Sequence, residues 1–401
     1  MSFIEYIKKK GIKNLTRTVF KYKIDVVIKK IIILFTKHKP LLDCIIIESH
    51  NDFDCNGGAF YNYLIDNNFN KKYKIIWLVK NDTPKDLPLN VKTFSLFRPS
   101  IKKDYYICRA KVMLADCDIT PKERDDQISV FCTHGGISIK NTRGYLFVPD
   151  YIDYILSPSH NFDKILCDKY SLSYDDQRII HIGYPYNDIY FENTRGELNK
   201  ITSKKYNKTI LWMPTFRKNA SRNDSKAQLT YGIPIIENAD DFFELNEELC
   251  KYNILLIIKY HPMQDLNVIK RIPELTNIIG LDKYDMKRKH LDNYRLMAEV
   301  DALLSDYSAS SYSYILLNRP IGFVLADLKD YKAGLVVDNP DDYMPGEKIY
   351  TKDQLFRFIY DVNENNDIYK NERENLCDYL YEYRDGKTCE RLSMLLNLKN
   401  C

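Results

Sequence analysis

The sequence has 401 residues, which is too long for one ordinary hydrophobic core and therefore predicts two domains. Hydrophobic residues make up 45% and charged residues 28%, as in a globular protein, and no apolar run approaches the roughly 20 residues that span a bilayer. We expect no secretory leader. The ten cysteines are scattered without a CxxC pair, which favours reduced core thiols over disulfides or a zinc site.

The net charge of +4 arises from the first 40 residues. This segment carries eleven lysines and arginines against Glu5 and Asp25, interleaved with apolar residues up to Phe35. The pattern is typical of a helix that lies on an anionic membrane surface, and equally of a solvated helix packed on its own domain. No basic patch continues into the rest of the chain, so nucleic acid is not an expected partner.

Short β-branched runs alternate with helical stretches from residue 43 onwards. This alternation predicts a parallel sheet that helices cover on both faces. The predicted strands lie at 45–47, 75–79, 111–114 and 128–133, with a glycine-containing loop at 54–58 and helices at 59–67 and 103–110.

A second series of the same kind follows residue 205. Its predicted strands lie at 210–213, 254–259, 302–305 and 321–324, with a polar loop at 219–224. We therefore predict an α/β protein with two Rossmann-like, doubly wound domains at 41–195 and 205–360, facing a cleft. A basic helical arm at 1–40 and charged helices at 361–401 flank them. Ligands of such sheets bind beyond the carboxyl ends of the strands.

His134 follows a predicted strand of the first domain and precedes Gly135 and Gly136. The glycines allow a ligand to approach closely, and the near-neutral pKa of imidazole suits a group that takes a proton from an attacking hydroxyl. A turn histidine that only hydrogen-bonds the backbone fits the same pattern. The residue is thus a candidate general base that needs supporting groups.

The second domain places polar residues after three of its predicted strands. Lys259 and His261 follow one, and both suit a phosphate, although a lone histidine there is more often structural. Residues 306–311 contain three serines at the start of a predicted helix, a pattern that binds anions or simply caps the helix. Arg217 follows a third strand and suits a phosphate clamp or an ordinary surface position. Asp116-Cys117-Asp118 has metal-binding spacing that is also frequent by chance.

Seven segments between residues 45 and 359, taken in chain order, resemble the signatures of the CDP-glycerol glycerophosphotransferase family of teichoic-acid synthesis. Each segment alone is a weak signal, and their order is a strong one. They are Asp54-Cys55-Asn56-Gly57-Gly58, His134-Gly135, Gly183-Tyr184-Pro185-Tyr186-Asn187-Asp188, Pro214-Thr215-Phe216-Arg217, Lys259-Tyr260-His261-Pro262, Asp306-Tyr307-Ser308-Ala309-Ser310 and Pro345-Gly346-Glu347.

The resemblance implies a GT-B-like fold and transfer of a polyol phosphate from CDP-glycerol or CDP-ribitol, with release of CMP. The implied acceptor is a hydroxyl of a teichoic acid, a capsule polymer or a lipid-linked glycan precursor. No bound metal or other cofactor is implied. The implied location is the cytoplasmic face of the cell membrane, with the N-terminal arm as the peripheral attachment.

The resemblance also assigns roles to individual residues. It implies catalytic roles for His134, His261 and Asp306. It implies contacts with the donor by Arg217, Lys259, Ser308, Ser310, Ser311, Pro345, Gly346 and Glu347, and contacts with the acceptor by Asp54, Asn56, Gly135 and Gly136.

Three positions depart from the family pattern. Gly136 stands where the family has threonine, Ile137 where it usually has proline, and Tyr186 where it has arginine. We expect all three near the acceptor side of the cleft, which leaves the polyol and the acceptor open. A GT-B glycosyltransferase that uses a nucleotide sugar and a catalytically silent membrane scaffold remain the alternatives.

Overall fold

The computed structural model describes residues 25–400 except 82, 118, 142–146, 194–195, 218–223, 228 and 265–273. Residues 1–24 of the predicted arm and nearly all of the predicted loop at 219–224 lie outside this description. The first described element is a helix at 25–36, named α1. All nine cysteines of the described chain have free thiols.

The first domain contains a seven-stranded, entirely parallel sheet in the order β3-β2-β1-β4-β5-β6-β7. Its central strands are continuous apolar runs, because helices cover both faces of a parallel sheet and leave no solvent-facing side. The strands are β1 Leu42–Glu48, β2 Lys74–Val79, β3 Val91–Ser95, β4 Ala110–Ala115, β5 Ile128–Phe131, β6 Tyr154–Ser157 and β7 Ile179–His181.

The helices of the first domain begin earlier than the sequence predicts. Helix α2 spans Cys55–Asp66 rather than 59–67, and the Asp54 carboxylate caps it by accepting from the Cys55 N–H. Gly58 lies in its first turn, where a Cβ atom would stand 2.6 Å from the Phe53 carbonyl oxygen. Helix α3 spans Ile101–Ile107, and α4 spans Asp163–Tyr170. The predicted glycine loop is thus the start of a tightly packed helix.

The second domain repeats the architecture with six parallel strands in the order β10-β9-β8-β11-β12-β13. The strands are β8 Lys208–Trp212, β9 Ile254–Lys259, β10 Ile278–Leu281, β11 Ala302–Ser305, β12 Ile321–Val324 and β13 Glu347–Ile349. The helices are α5 Glu197–Ile201, α6 Ala239–Tyr252, α7 Lys283–Arg288, α8 Asn293–Glu299, α9 Ala309–Tyr314 and α10 Lys352–Glu364.

The last helices return from the second domain to the first. Helix α10 runs past residue 360, and α11 Lys370–Leu380 and α12 Thr388–Leu395 follow it. Asp188 of the first domain accepts hydrogen bonds from the Thr388 and Cys389 N–H groups at the start of α12 (2.9 and 2.7 Å). The C-terminal segment therefore ties the two domains together.

Helix α1 packs against the first domain through charged side chains. Asp25 pairs with Lys103, Lys29 pairs with Glu123, and Arg124 donates to the Thr36 carbonyl. None of the helices in the described ranges is both long and apolar enough to cross a membrane.

Candidate active site

The candidate site lies where the carboxyl ends of the two sheets meet. In each sheet the strand order reverses between the first and fourth strands of the domain, β1 and β4 in one and β8 and β11 in the other. The loops after these strands diverge and leave a crevice there. Across the crevice the Cys55 thiol lies 3.6 Å from the Tyr294 hydroxyl, and a Cβ on Gly135 would lie 3.6 Å from that of Ala309.

His134 stands at the turn that follows β5. The residues on either side, Thr133 and Gly135, have φ angles of 60° and 71°, so the backbone turns sharply and the imidazole is exposed towards the cleft. The ring stacks on His50 with centroids 4.0 Å apart, and its Nδ1 atom lies 4.0 Å from the Cys55 sulfur. The structure thus supplies the neighbours that the sequence leaves unidentified.

The surroundings of His134 disfavour its protonated form. Desolvation by the protein around the cleft, followed by the basic neighbours His50, Lys169 and His261, lowers the pKa of His134 to about 3. The imidazole is therefore neutral at physiological pH, the state that a general base requires. Because cationic neighbours contribute to the shift, an anionic ligand between the domains would raise the pKa towards neutrality.

Asn56 is buried and supports the His134 turn from behind. Its amide donates to the Cys132 and Thr133 carbonyls (3.1 and 2.9 Å), and its oxygen accepts from the Tyr186 N–H (3.3 Å). This placement favours a structural role over the acceptor contact that the resemblance implies. Asp54 is half-buried at the start of α2 and remains closer to the cleft.

The Asp-x-Asp spacing at 116–118 is typical of metal sites, but Asp116 has a structural role. The carboxylate is buried and accepts from the backbone N–H groups of His50 (2.7 Å) and Gly57 (3.4 Å). Burial raises the pKa of Asp116 to about 7. Asp118 lies outside the described residues. Asp116 therefore fixes the loop after β1 to the loop after β4.

Two of the departures from the family pattern, Gly136 and Tyr186, form one packing unit. Gly136 has a φ of 58°, and a Cβ atom there would lie 2.2 Å from the Tyr186 hydroxyl oxygen. That hydroxyl lies 3.0 Å from the Ser313 Oγ of the second domain, and the ring stacks on Tyr294 at 4.3 Å. Tyr186 is buried between the two domains, so its side chain is not presented to a ligand. It fills the space that a side chain at position 136 would need.

Gly136→Ala is expected to destabilise the protein by about 1–3 kcal/mol more than Gly334→Ala, because only the first substitution adds an overpacked methyl group. Gly334 is the matched control, since it also has a positive φ but has no atom within 4 Å of an added Cβ. In Gly136→Ala/Tyr186→Phe the two penalties should be less than additive, since the nearest clashing atom is removed. Urea unfolding of these three variants and of Tyr186→Phe alone measures both effects, and equal losses in the two alanine variants would contradict the packing unit.

Lys259 and His261 end β9 on the opposite side of the cleft. The Met263 N–H donates to Nδ1 of His261 (3.2 Å), so the neutral ring carries its proton on Nε2 and can donate from there. Burial lowers the pKa of Lys259 to about 8, and the carboxylate of Asp54 partly offsets this shift. These two side chains therefore present hydrogen-bond donors of the kind that bind phosphate.

Arg217 is buried rather than presented to the cleft. Its guanidinium donates to both oxygens of Asp327 (2.7 and 2.9 Å), to Asp306 (2.7 Å) and to the Thr215 carbonyl (2.7 Å). Only 2% of its side chain is exposed. Although desolvation acts in the opposite direction, Asp306 and Asp327 raise the pKa of Arg217. The guanidinium that the sequence predicts as a phosphate clamp is thus already paired with two carboxylates.

Asp306 connects this buried cluster to residues 306–311, named here the serine loop. It accepts from the Thr215 N–H (2.8 Å) and hydroxyl (2.6 Å) as well as from Arg217, and it is 2% exposed. Lys140 of the first domain donates to the same Thr215 hydroxyl (2.9 Å). The position of Asp306 suits orientation of the loop and does not suit the direct catalytic role that the resemblance implies.

The serine loop contains two half-buried hydroxyls and one buried hydroxyl. Ser308 caps α9 without a side-chain hydrogen bond to the helix, and Ser310 donates to it (3.1 Å). Ser311 is buried and donates to the Ser308 carbonyl (2.8 Å). Ser308 and Ser310 are therefore the members of this loop that can meet a ligand.

The Pro345-Gly346-Glu347 segment precedes and begins the edge strand β13. A Cβ on Gly346 would lie 2.2 Å from the Ile321 carbonyl oxygen, so the glycine allows close packing against β12. Pro345 and Gly346 are buried, and Glu347 is half-buried. The structure supports a packing role for the first two residues.

Sequence reasoning missed His50, Lys140, Lys169 and Tyr294. Lys169 lies in α4, where burial lowers its pKa to about 8, and its Nζ atom lies 3.4 Å from the Gly136 carbonyl oxygen. Lys140 lies beyond the His134 turn, and Tyr294 lies in α8. None of the four stands in one of the recognised segments, so only their spatial placement identifies them.

Two α/β domains with parallel sheets face each other across a cleft that contains histidines. This is the arrangement of a GT-B-like transferase. The chain belongs to the CDP-Glycerol:Poly(glycerophosphate) glycerophosphotransferase family, whose model matches residues 31–397. The resemblance noted in the sequence is therefore confirmed over most of the chain, and the protein is an enzyme of the transferase class.

Individual relatives are similar to this chain at 19–27% sequence identity. The teichoic acid poly(glycerol phosphate) polymerase of Bacillus spizizenii is 26% identical over 335 residues, which are 77% of this chain and 79% of the relative. The teichoic acid poly(ribitol-phosphate) polymerase of the same organism is 27% identical over 263 residues, 63% of this chain and 37% of the relative. A solved structure of the wall teichoic acid polymerase TagF has a similar fold, with a TM-score of 0.71 at 19% identity, and the match covers 96% of this chain and 97% of the solved chain.

Proposed function

We propose that the protein transfers a polyol phosphate from a CDP-activated donor to a hydroxyl of a cell-envelope polymer or its lipid-linked precursor, with release of CMP. The observation that carries the proposal is the placement of His134 opposite His261 and Lys259 in the cleft of a member of this family. Glycerol phosphate and ribitol phosphate are the two candidate groups, since the relatives above are named for one or the other.

In the proposed reaction, the acceptor hydroxyl attacks the β-phosphorus of the donor. A new P–O bond forms, and the bond from that phosphorus to the bridging oxygen breaks, so CMP leaves. His134 takes the hydroxyl proton in its neutral form. His261, through the proton on Nε2, and Lys259 offset the charge that develops on the departing phosphate.

The buried groups act in support of this chemistry. Arg217 and Asp306 hold the serine loop in place, so that the Ser308 and Ser310 hydroxyls can contact the donor phosphates. Asn56 holds the turn that carries His134. The residues that the resemblance assigns thus form two groups. One group contacts the substrates, and the other holds the first group in position.

Donor binding tests this proposal against the nucleotide-sugar alternative. Isothermal titration with CDP-glycerol, CDP-ribitol and a panel of UDP-sugars should show binding of at least one CDP-polyol and none of the UDP-sugars. Binding of a UDP-sugar with no binding of either CDP-polyol would favour a glycosyltransferase. Absence of binding by every donor would favour the silent scaffold.

We further propose that α1 attaches the enzyme to the cytoplasmic face of the membrane. Val27, Ile31, Leu34 and Phe35 recur at helical spacing on its outer side, and the last two are 69% and 76% exposed. Exposed lysines, Lys30 and Lys37, adjoin this apolar stripe. An apolar face flanked by cations suits insertion among anionic lipid headgroups.

Leu34→Glu/Phe35→Glu is expected to lower binding to anionic vesicles at least about tenfold, because each apolar side chain contributes about 1.5–3 kcal/mol when buried. Vesicle co-sedimentation with phosphatidylglycerol measures the loss. Phe243→Glu in α6 of the second domain, where Phe243 is 47% exposed, is the matched control. Equal vesicle binding by the wild type and the double variant would contradict attachment through α1.

A further inference from the structure

A cluster of metal-ligand side chains lies at the edge strand β7, three strands away from the switch point of the first sheet. His160 follows β6, His181 ends β7, and Glu382 follows α11. The three residues come from separate parts of the chain and meet outside the cleft. The proposed transfer reaction uses none of them.

The three side chains lie close enough together to bind a single ion once one of them rotates. One ligand atom from each residue lies within 4.8 Å of the others. Tetrahedral zinc with Zn–N distances of about 2.0–2.1 Å separates its ligand atoms by roughly 3.3 Å. The rings of His160 and His181 stack with centroids 3.6 Å apart, so their lone pairs converge only after one ring turns. The His160 side chain is 73% exposed, so it can make this turn, and an ion can enter from solvent.

Asp163 supplies the supporting contact that metal-bound histidines usually have. Its Oδ2 atom lies 2.7 Å from Nε2 of His181, and its Oδ1 accepts from the Ser157 hydroxyl (3.0 Å). A carboxylate at Nε2 holds the proton there and leaves the lone pair of His181 on Nδ1. The histidine is thus set in the tautomer that a metal requires.

Glu382 is also fixed in place. Its N–H donates to the Pro158 carbonyl (3.1 Å), and its carboxylate accepts from the His160 N–H (2.9 Å). The carboxylate is therefore held beside the two histidines, where it can serve as an oxygen ligand.

We propose that His160, His181 and Glu382 bind one divalent transition-metal ion, with water completing its coordination. Two imidazoles and one carboxylate suit Zn²⁺, Co²⁺ or Ni²⁺ and disfavour Mg²⁺, which prefers oxygen ligands. The ion joins the C-terminal segment to the edge of the first domain. Because it binds the folded chain, it stabilises the protein by mass action.

Zinc titration of the full chain, freed of metal with a chelator, tests the proposal. The wild type should bind one more Zn²⁺ per chain than His160→Gln/Glu382→Gln, and the wild type should gain thermal stability from that ion whereas this double variant should not. His290→Asn is the control, because His290 is exposed, lies outside the cluster and has a φ of 50° that asparagine tolerates. Zinc that binds elsewhere is common to all variants and cancels in the comparison.

Co²⁺ supplies an independent readout, since nitrogen ligation in a tetrahedral site gives a visible absorption band that aqueous Co²⁺ lacks. The band should appear in the wild type and in His290→Asn and be lost in the double variant. His160→Gln alone serves if the double variant fails to fold. Equal Zn²⁺ stoichiometry in the wild type and the cluster variants would overturn the site and leave two ordinary histidine–carboxylate pairs.

Discussion

His134→Ala is expected to lower kcat by at least about a hundredfold, because under the proposed mechanism it removes the group that takes the proton of the attacking hydroxyl. The ring is exposed to the cleft and contributes little to packing, so the fold should persist. Its interdomain position and its lowered pKa both suit a base that is neutral before the substrates bind.

The measurement for this prediction is CMP release under saturating donor and acceptor. His134→Ala should keep its affinity for the donor within a few-fold, since the proton transfer is made only in the transition state. His38→Ala, which removes an exposed histidine at the end of α1, should retain wild-type turnover. Near-normal turnover in His134→Ala would contradict the assignment of the base.

Arg217→Met is expected to cost about 3–5 kcal/mol of unfolding free energy, because it leaves the carboxylates of Asp306 and Asp327 buried without their cation. The loss should be seen in urea unfolding as a shift of the midpoint. Arg288→Met is the matched control. It also removes one arginine–aspartate pair, but Arg288 is 74% exposed, and such surface pairs contribute at most about 1 kcal/mol.

The same variant separates the two interpretations of Arg217. A phosphate clamp predicts near-normal stability and a raised KM for the donor. A buried positioning group predicts lost stability first, with any effect on the donor following from a displaced serine loop. Wild-type stability combined with a strongly raised KM would show that Arg217 meets the donor directly.

The parts of the fold that follow from local sequence were predictable. Strands β1, β2, β4, β8 and β9 are continuous apolar runs that are buried on both faces, so their hydrophobic pattern alone identifies them. Strands β3, β6, β7, β10 and β13 were missed. Each of them is short and has polar residues in or beside it. Hydrogen bonds to the neighbouring strands therefore identify it better than its amino-acid composition does.

The site was predictable where a residue's role depends on its own strand, and not where it depends on a distant partner. His134 and His261 follow strands directly, and the structure brings them to one cleft. The burial of Arg217 depends on Asp327, which lies 110 positions further along the chain. Likewise, Gly136 is explained by Tyr184 and Tyr186, whose rings occupy the space beside it.

Acceptor-dependent CMP release tests the central claim most directly. Purified enzyme is supplied with CDP-glycerol or CDP-ribitol, with and without a lipid-linked phosphoglycosyl acceptor, and CMP is quantified. We predict release with one of the two donors only when the acceptor is present, together with a gain of one polyol phosphate on the acceptor. Release from neither donor under conditions in which the wild-type protein is folded would contradict polyol-phosphate transfer.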